Sequence, residues 1–139
     1  MVTATYLLDT NTWIYALKGR PFELVERLGK VEPTSVVFCS VVKAELLRGA
    51  QRYANRETRL ITLRTLFSRH LSLPFDDAAA EVYGRIRHEL EMNGQVIGAM
   101  DRLIAAIALA NDLILVTNNT EEFARISTLK LEDWTQPSS

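Results

Sequence analysis

The run Tyr6-Leu7-Leu8 ends on Asp9 and passes without a linker into a helical pattern that carries Trp13, Ile14 and Leu17 on its apolar side. A short apolar strand that turns at once into a helix is the opening of an α/β unit. A strand that stops on an Asp sets that carboxylate at the carboxyl edge of a sheet, where open α/β sheets bind their ligands. Thr10 and Asn11 suit the cap of the helix, which leaves Asp9 pointing out of the turn. A lone strand-end Asp is more often a turn residue than a chemical group. A role for Asp9 therefore depends on partners further along the chain.

The same alternation continues. Lys18-Gly19-Arg20-Pro21 is a turn, and Pro21 suits the first position of a helix whose face carries Phe22, Val25 and Leu28. Glu23 with Arg27 and Glu26 with Lys30 are spaced as i,i+4 pairs. Val36 to Cys39 is a buried strand. Ser40 caps a helix with Val42, Leu46, Ala50 and Tyr53 on one face, and Gly49 leaves open space one turn after Glu45. A helix from Asn55 to His70 turns Leu60, Leu63 and Phe67 inward. Pro74 makes Leu71 to Phe75 an edge strand or extended link. Asp76 and Asp77 start a helix with Val82, Tyr83, Ile86 and Leu90 in its stripe, closed by Asn93-Gly94. Leu103 to Ala110 is apolar on nearly all sides, the mark of a central helix, with Asp101 in or near its first turn. Leu113 to Val116 is a strand that ends on Thr117-Asn118-Asn119, followed by a helical turn with Glu121, Glu122 and Phe123. Leu129 to Leu131 is a last edge strand with Trp134 against its end, and Gln136 to Ser139 is a frayed tail. The expected fold is a three-layer α/β/α domain spanning residues 1–139, with a mainly parallel sheet.

Composition narrows the function. Hydrophobic residues make up 47% of the 139, enough for a packed core. No apolar run is long enough to span a bilayer, and the first residues lack the pattern of a signal peptide. Cys39, the only cysteine, sits in an apolar run and reads as a small buried hydrophobe, which fits a cytoplasmic protein. His70 and His88 have no zinc-spaced partner and read as surface or packing residues, which removes most of the case for zinc or a Ser-His-Asp site. The net charge of -1 argues against a broadly basic nucleic-acid binder. Between Lys43 and His70, however, seven cations face only Glu45 and Glu57. Such a run is usually a solvated face. It gains weight as a polyanion groove if an acidic site lies beside it.

That acidic site is foreshadowed by Asp9, Glu45 and Asp101. They are far apart in sequence, yet each stands where an α/β fold brings strand ends and early helix turns to one edge, with the Thr117 to Asn119 turn and Glu122 nearby. Clustered carboxylates repel, so a cluster implies bound cations or raised pKa values. Oxygen donors alone favour Mg²⁺ or Mn²⁺ over Zn²⁺, and Mg²⁺ uses one or two carboxylates, which points to Asp9 and Asp101 as direct ligands.

Five blocks in order, Leu7-Leu8-Asp9-Thr10-Asn11, Glu45-Leu46-Leu47-Arg48-Gly49-Ala50, Ile97 to Ala106, Val116 to Phe123 and Leu131-Glu132-Asp133-Trp134, resemble the VapC toxins of bacterial toxin–antitoxin pairs, which have the PIN-domain fold. The resemblance spans nearly the whole chain. It implies a Mg²⁺-dependent endoribonuclease that inhibits translation, with the first three acidic positions at Asp9, Glu45 and Asp101. Many PIN domains carry a fourth Asp where this chain has Asn119, which leaves a second metal site open; Glu122 is the residue that stands in for it, directly or through water. Thr117 orients a water or holds the turn. Arg48, Arg52, Arg56 and Arg59 are the implied RNA contacts. The implied substrates are tRNAs or other structured RNAs cut in exposed loops, with the initiator tRNA anticodon loop the most similar case. The implied partners are a VapB antitoxin, a second copy in a homodimer, and DNA only through the antitoxin.

Two other readings stand beside this one. A haloacid-dehalogenase-like phosphohydrolase also has a strand ending in Asp and a later one ending in Thr, but it needs a second Asp where this chain has Asn11. A catalytically silent PIN domain, acting by protein contacts alone, is the other.

Overall fold

The computed structural model describes residues 3–137. Five strands, β1 (Tyr6–Leu8), β2 (Val36–Cys39), β3 (Ser72–Leu73), β4 (Ile114–Val116) and β5 (Lys130–Glu132), form one sheet in the order β3-β2-β1-β4-β5. Every pairing is parallel. Helices cover the sheet: α1 (Thr10–Leu17), α2 (Phe22–Lys30), α3 (Ser40–Gln51), α4 (Arg56–Phe67), α5 (Asp77–Met92), α6 (Ala99–Ala110) and the short α7 (Thr120–Phe123). This is the expected three-layer arrangement. The central strands are buried on both faces, with Leu7, Leu8, Val37, Phe38, Leu115 and Val116 fully enclosed, which explains why they read as unbroken apolar runs. In α6, Ile104 to Ala108 are all fully buried, as its all-round apolarity predicts.

Topology sets the position of the site. β1 is the central strand, and the chain leaves it toward β2 on one side and returns as β4 on the other. Ligand crevices in open parallel sheets form where the order reverses in this way, outside the carboxyl ends of the strands. Leu8 pairs with Val116, so the next residues on each strand, Asp9 and Thr117, emerge side by side.

A layer of aromatic side chains holds α1 and α4 against β2. Trp13 stacks on Phe38 with ring centroids 4.5 Å apart, and Phe67 meets Phe38 edge-on at 4.9 Å. His70 lies beside both Trp13 and Phe38, its Nδ1 3.0 Å from the Val36 carbonyl. It is a packing histidine, as expected. The last strand is fastened by Trp134, whose ring meets Tyr6 edge-on and whose Nε1 donates to Glu132.

Several local expectations are corrected. Asp9, rather than Thr10 or Asn11, is the N-cap of α1, because its own carboxylate accepts the Thr12 N–H. Ser40 is the first residue of α3 and makes no capping bond. Pro21 precedes α2 as its N-cap residue. Arg27 reaches Glu132 at 3.2 Å instead of Glu23, since the edge strand β5 brings a carboxylate and the Trp134 ring to it. Tyr53 falls beyond the end of α3 and is exposed. On α2 the enclosed residue is Leu24, whereas Phe22 and Val25 face outward. Helix α2 meets the core through the Leu24 and Leu28 row, one residue out of phase with the expected face. The frayed tail expected over Gln136 to Ser139 falls partly on Ser138 and Ser139, which lie outside the described residues.

The α2 correction makes a contrast that can be measured. Leu24→Ala should lower unfolding stability by about 2–5 kcal/mol in urea denaturation. Phe22→Ala, at a residue 71% exposed, should change it by less than about 0.5 kcal/mol.

Candidate active site

Asp9 is only 5% exposed. One oxygen, Oδ1, accepts the Thr12 N–H at 2.9 Å, and Oδ2 accepts the Thr117 hydroxyl at 2.6 Å. Both bonds follow from the backbone: Thr12 is in the first turn of α1, and Thr117 is the neighbour that the β1–β4 register supplies. Thr117 Oγ1 also accepts the Asn119 N–H at 3.0 Å, so the turn after β4 is tied to Asp9. Each oxygen of this buried carboxylate therefore has a donor.

Glu45 projects from α3 toward the same edge. The Thr10 hydroxyl donates to its Oε1 at 2.5 Å. Gly49, one turn on, meets nothing within 4 Å at the place a Cβ would occupy, so the space beside Glu45 is open as expected. Asp101 stands in the first turn of α6, where the helix dipole favours its charge. Burial, then Glu122, Asp9 and Glu45 in that order, push its carboxyl up to about 6. Its neighbour Arg102 does not pair with it and donates instead to the Ile97 carbonyl. Glu122 is the opposite case. Its Oε1 accepts the Gly98 N–H at 2.9 Å and its Oε2 the Asn119 side-chain amide at 2.7 Å. Those two bonds, Gly98 first, hold its carboxyl below the usual range.

The structure thus brings Asp9, Glu45, Asp101, Thr117, Asn119 and Glu122 to one edge. A groove of about 540 Å³ runs from this edge between α1, α3 and α4, lined by Thr10, Glu45 and Gly49 and by Arg48, Arg52 and Arg59. Arg56 does not line it and donates instead to the Tyr53 carbonyl. Arg59 lies over the Tyr53 ring, 3.5 Å from its centroid. Thr10 and Gly98 are the site residues that sequence reasoning passed over. Thr10 has the residue type of a helix cap, although a hydroxyl beside a strand-end Asp is already a signal. Gly98 acts through its backbone, and a Cβ there would lie 3.4 Å from Asp101 Oδ2.

The carboxylates share a field but do not close into a cage: among the described residues no three His, Cys, Asp or Glu side chains are grouped tightly enough to hold an ion. The donor chemistry nevertheless fits a divalent cation of the Mg²⁺ type, which needs one or two carboxylates and keeps water for the rest. Asp101 in particular is an acid destabilised by burial and by its neighbouring carboxylates, and among the described residues no cation is paired with it.

The PIN-domain family profile matches residues 6–129. The tRNA(fMet)-specific endonuclease VapC of Shigella flexneri is 38% identical over 129 residues, covering 93% of this chain and 97% of that one. The chain belongs to the VapC branch of the PIN-domain family. Ribonuclease VapC2 of Rickettsia felis is also 38% identical, with the same coverage of both chains. The VapC fold is seen again in a DNA-bound VapBC structure from Salmonella typhimurium, with a TM-score of 0.87 at 36% identity over 95% of this chain and 99% of that one. VapBC-1 from nontypeable Haemophilus influenzae gives 0.86 at 34% identity, with the same coverage. The VapC relatives are ribonucleases by name, the class of enzyme expected from the sequence, and the phosphohydrolase alternative is not the family found. Among the described residues no helix is long and apolar enough to cross a membrane.

The raised Asp101 carboxyl has a consequence for stability. Its ordinary range is about 4, and in the folded chain it is pushed up to about 6. The folded state therefore holds this proton more tightly than the unfolded one. The stability this contributes is fully present below about pH 4 and is lost as pH rises through about 6. With a chelator present, Asp101→Asn should gain stability over wild type as pH rises from 5 to 7.5, read from urea midpoints of the two proteins at each pH.

Proposed function

We propose that this chain is the toxin of a VapBC-type pair, an endoribonuclease that hydrolyses phosphodiester bonds in tRNA, with the initiator tRNA anticodon loop as the expected target. The observation that carries this reading is the meeting of Asp9, Glu45 and Asp101 at the carboxyl edge of the sheet, beside a groove walled by arginines. Support for the substrate comes from the tRNA(fMet)-specific relatives, and for the partner from the VapBC assemblies. The antitoxin is of VapB type, its C-terminal segment covering the site, and any DNA contact is made through it. The toxin works as a homodimer in the cytoplasm and stops translation until neutralised.

Asp9 and Asp101 would hold a Mg²⁺ ion, for which Mn²⁺ can substitute. When bound, such an ion polarises the scissile phosphate and makes water more acidic. The chain's own residues do the rest. Thr12 and Thr117 hold the Asp9 carboxylate aimed at the edge of the sheet. Thr10 fixes one oxygen of Glu45, which leaves the other to take the proton of the attacking water. Arg48, Arg52 and Arg59 bind backbone phosphates along the groove, which aligns the strand with the carboxylates.

Cleavage of total tRNA by the purified chain with Mg²⁺ tests the reading. Asp9→Asn and Asp101→Asn should each slow cleavage by about 100-fold or more, since losing an ion-holding charge costs at least as much as losing an outer partner of the ion. Variants that cut as fast as wild type would end this assignment. An intact wild type that binds VapB and is toxic without cutting RNA would instead favour the silent PIN domain. Binding to uncut RNA should weaken with salt, and Arg48→Ala or Arg52→Ala should each lower the log–log salt slope by about 0.7.

A further inference from the structure

The segment just before α6 is held in an unusual way. Three successive residues, Val96, Ile97 and Gly98, each give a backbone group to a charged side chain. Arg125 donates to the Val96 carbonyl, Arg102 donates to the Ile97 carbonyl, and Glu122 accepts the Gly98 N–H. The Ile97 side chain is buried, so the segment is anchored from both sides. The Gly98 carbonyl in turn accepts the Arg102 N–H at 3.0 Å, which starts α6. The place of Gly98 therefore sets the first turn of α6, and with it Asp101.

Glu122 is the link between this segment and the rest of the site. Its second oxygen accepts from Asn119, whose own N–H is held by Thr117, whose hydroxyl holds Asp9. The result is one unbroken line of hydrogen bonds from Asp9 through Thr117, Asn119 and Glu122 to Gly98 at the head of α6. Both Glu122 oxygens have protein donors, which fixes the carboxylate between Gly98 and Asn119. Asn119 also acquires a reason: an amide can donate to Glu122, whereas a carboxylate there could only repel it.

We infer that Glu122 is a positioning residue, a strut that, with Asn119, holds the first turn of α6 and with it Asp101. Glu122 is also the carboxylate that acts most on Asp101, so the strut is carried by its two bonds and not by its charge, and it is present in the ion-free protein. This inference rests on the proposed metal-dependent nuclease reading and assigns Glu122 a role within it.

The test compares Glu122→Gln with Glu122→Ala. Glutamine keeps an oxygen for Gly98, and its amide pairs with Asn119 once that side chain turns over. Mn²⁺ affinity by titration calorimetry should fall about tenfold or more in Glu122→Ala, as for other outer partners of metal sites. In Glu122→Gln it should stay within about threefold of wild type. Exchange of the Gly98 amide in the ion-free protein, followed by NMR, should quicken about tenfold in Glu122→Ala and little in Glu122→Gln. A Gln variant as weak as the Ala variant for Mn²⁺ would overturn the inference, because the charge and not the bonds would then be needed. So would an Ala variant unchanged in both measurements. Failure of the wild type to bind Mn²⁺ would instead sink the functional reading, and the exchange measurement would still judge the strut.

Discussion

The carboxylate of Asp9 sits almost fully enclosed at the end of the central strand, and the site depends on how it is satisfied. Two donors meet it, the Thr12 N–H and the Thr117 hydroxyl. An unpaired charge in that position would cost several kcal/mol, of order 3–5 where a buried partner is lost. The β1–β4 register removes that cost, since any slip by one residue would turn Thr117 away and present the opposite face of the strand. The same pairing that builds the sheet thus orients the first acid of the site.

Around this fixed acid the other carboxylates are treated unequally. Glu122 is settled by two donors and held below the usual range, Glu45 has the Thr10 hydroxyl, and Asp101 is left to the field of its neighbours. Asp101 is the acid whose charge is least compensated by the protein's own donors. The arginines of the groove do not neutralise Asp101, because they stand along α3 and α4, on the approach to the edge. Acid at the edge and base along the approach is a division of labour suited to a polyanionic chain whose backbone must be gripped while one phosphate is attacked.

Much of this was legible in the residue order. The strand that ends on Asp9, the apolar α6 with Asp101 in its first turn, the Gly beside Glu45 and the polar turn after β4 all appear as local patterns, readable within one strand or one helical turn. Where residue order and structure differ, the cause is the same. Phe22 and Leu24 both fit an apolar helix face, and only the angle at which α2 meets the core decides between them. Glu23 has helical spacing from Arg27, but Glu132 arrives from the edge strand and takes the pair. Thr10 was a plausible cap by type, yet Asp9 was the one with a free carboxylate aimed at Thr12.

Local periodicity thus determined the order of elements, the parallel class of the sheet and the acids that would reach its edge, because side-chain spacing and turn chemistry act over a few residues. Tertiary structure alone decided the partners: Thr117 for Asp9 across 108 residues, Glu122 for Gly98 across 24, and for Asp101 the company of three other carboxylates. Those choices depend on register and helix docking, which are set by the packing of the whole core and leave no mark in any short stretch of the chain.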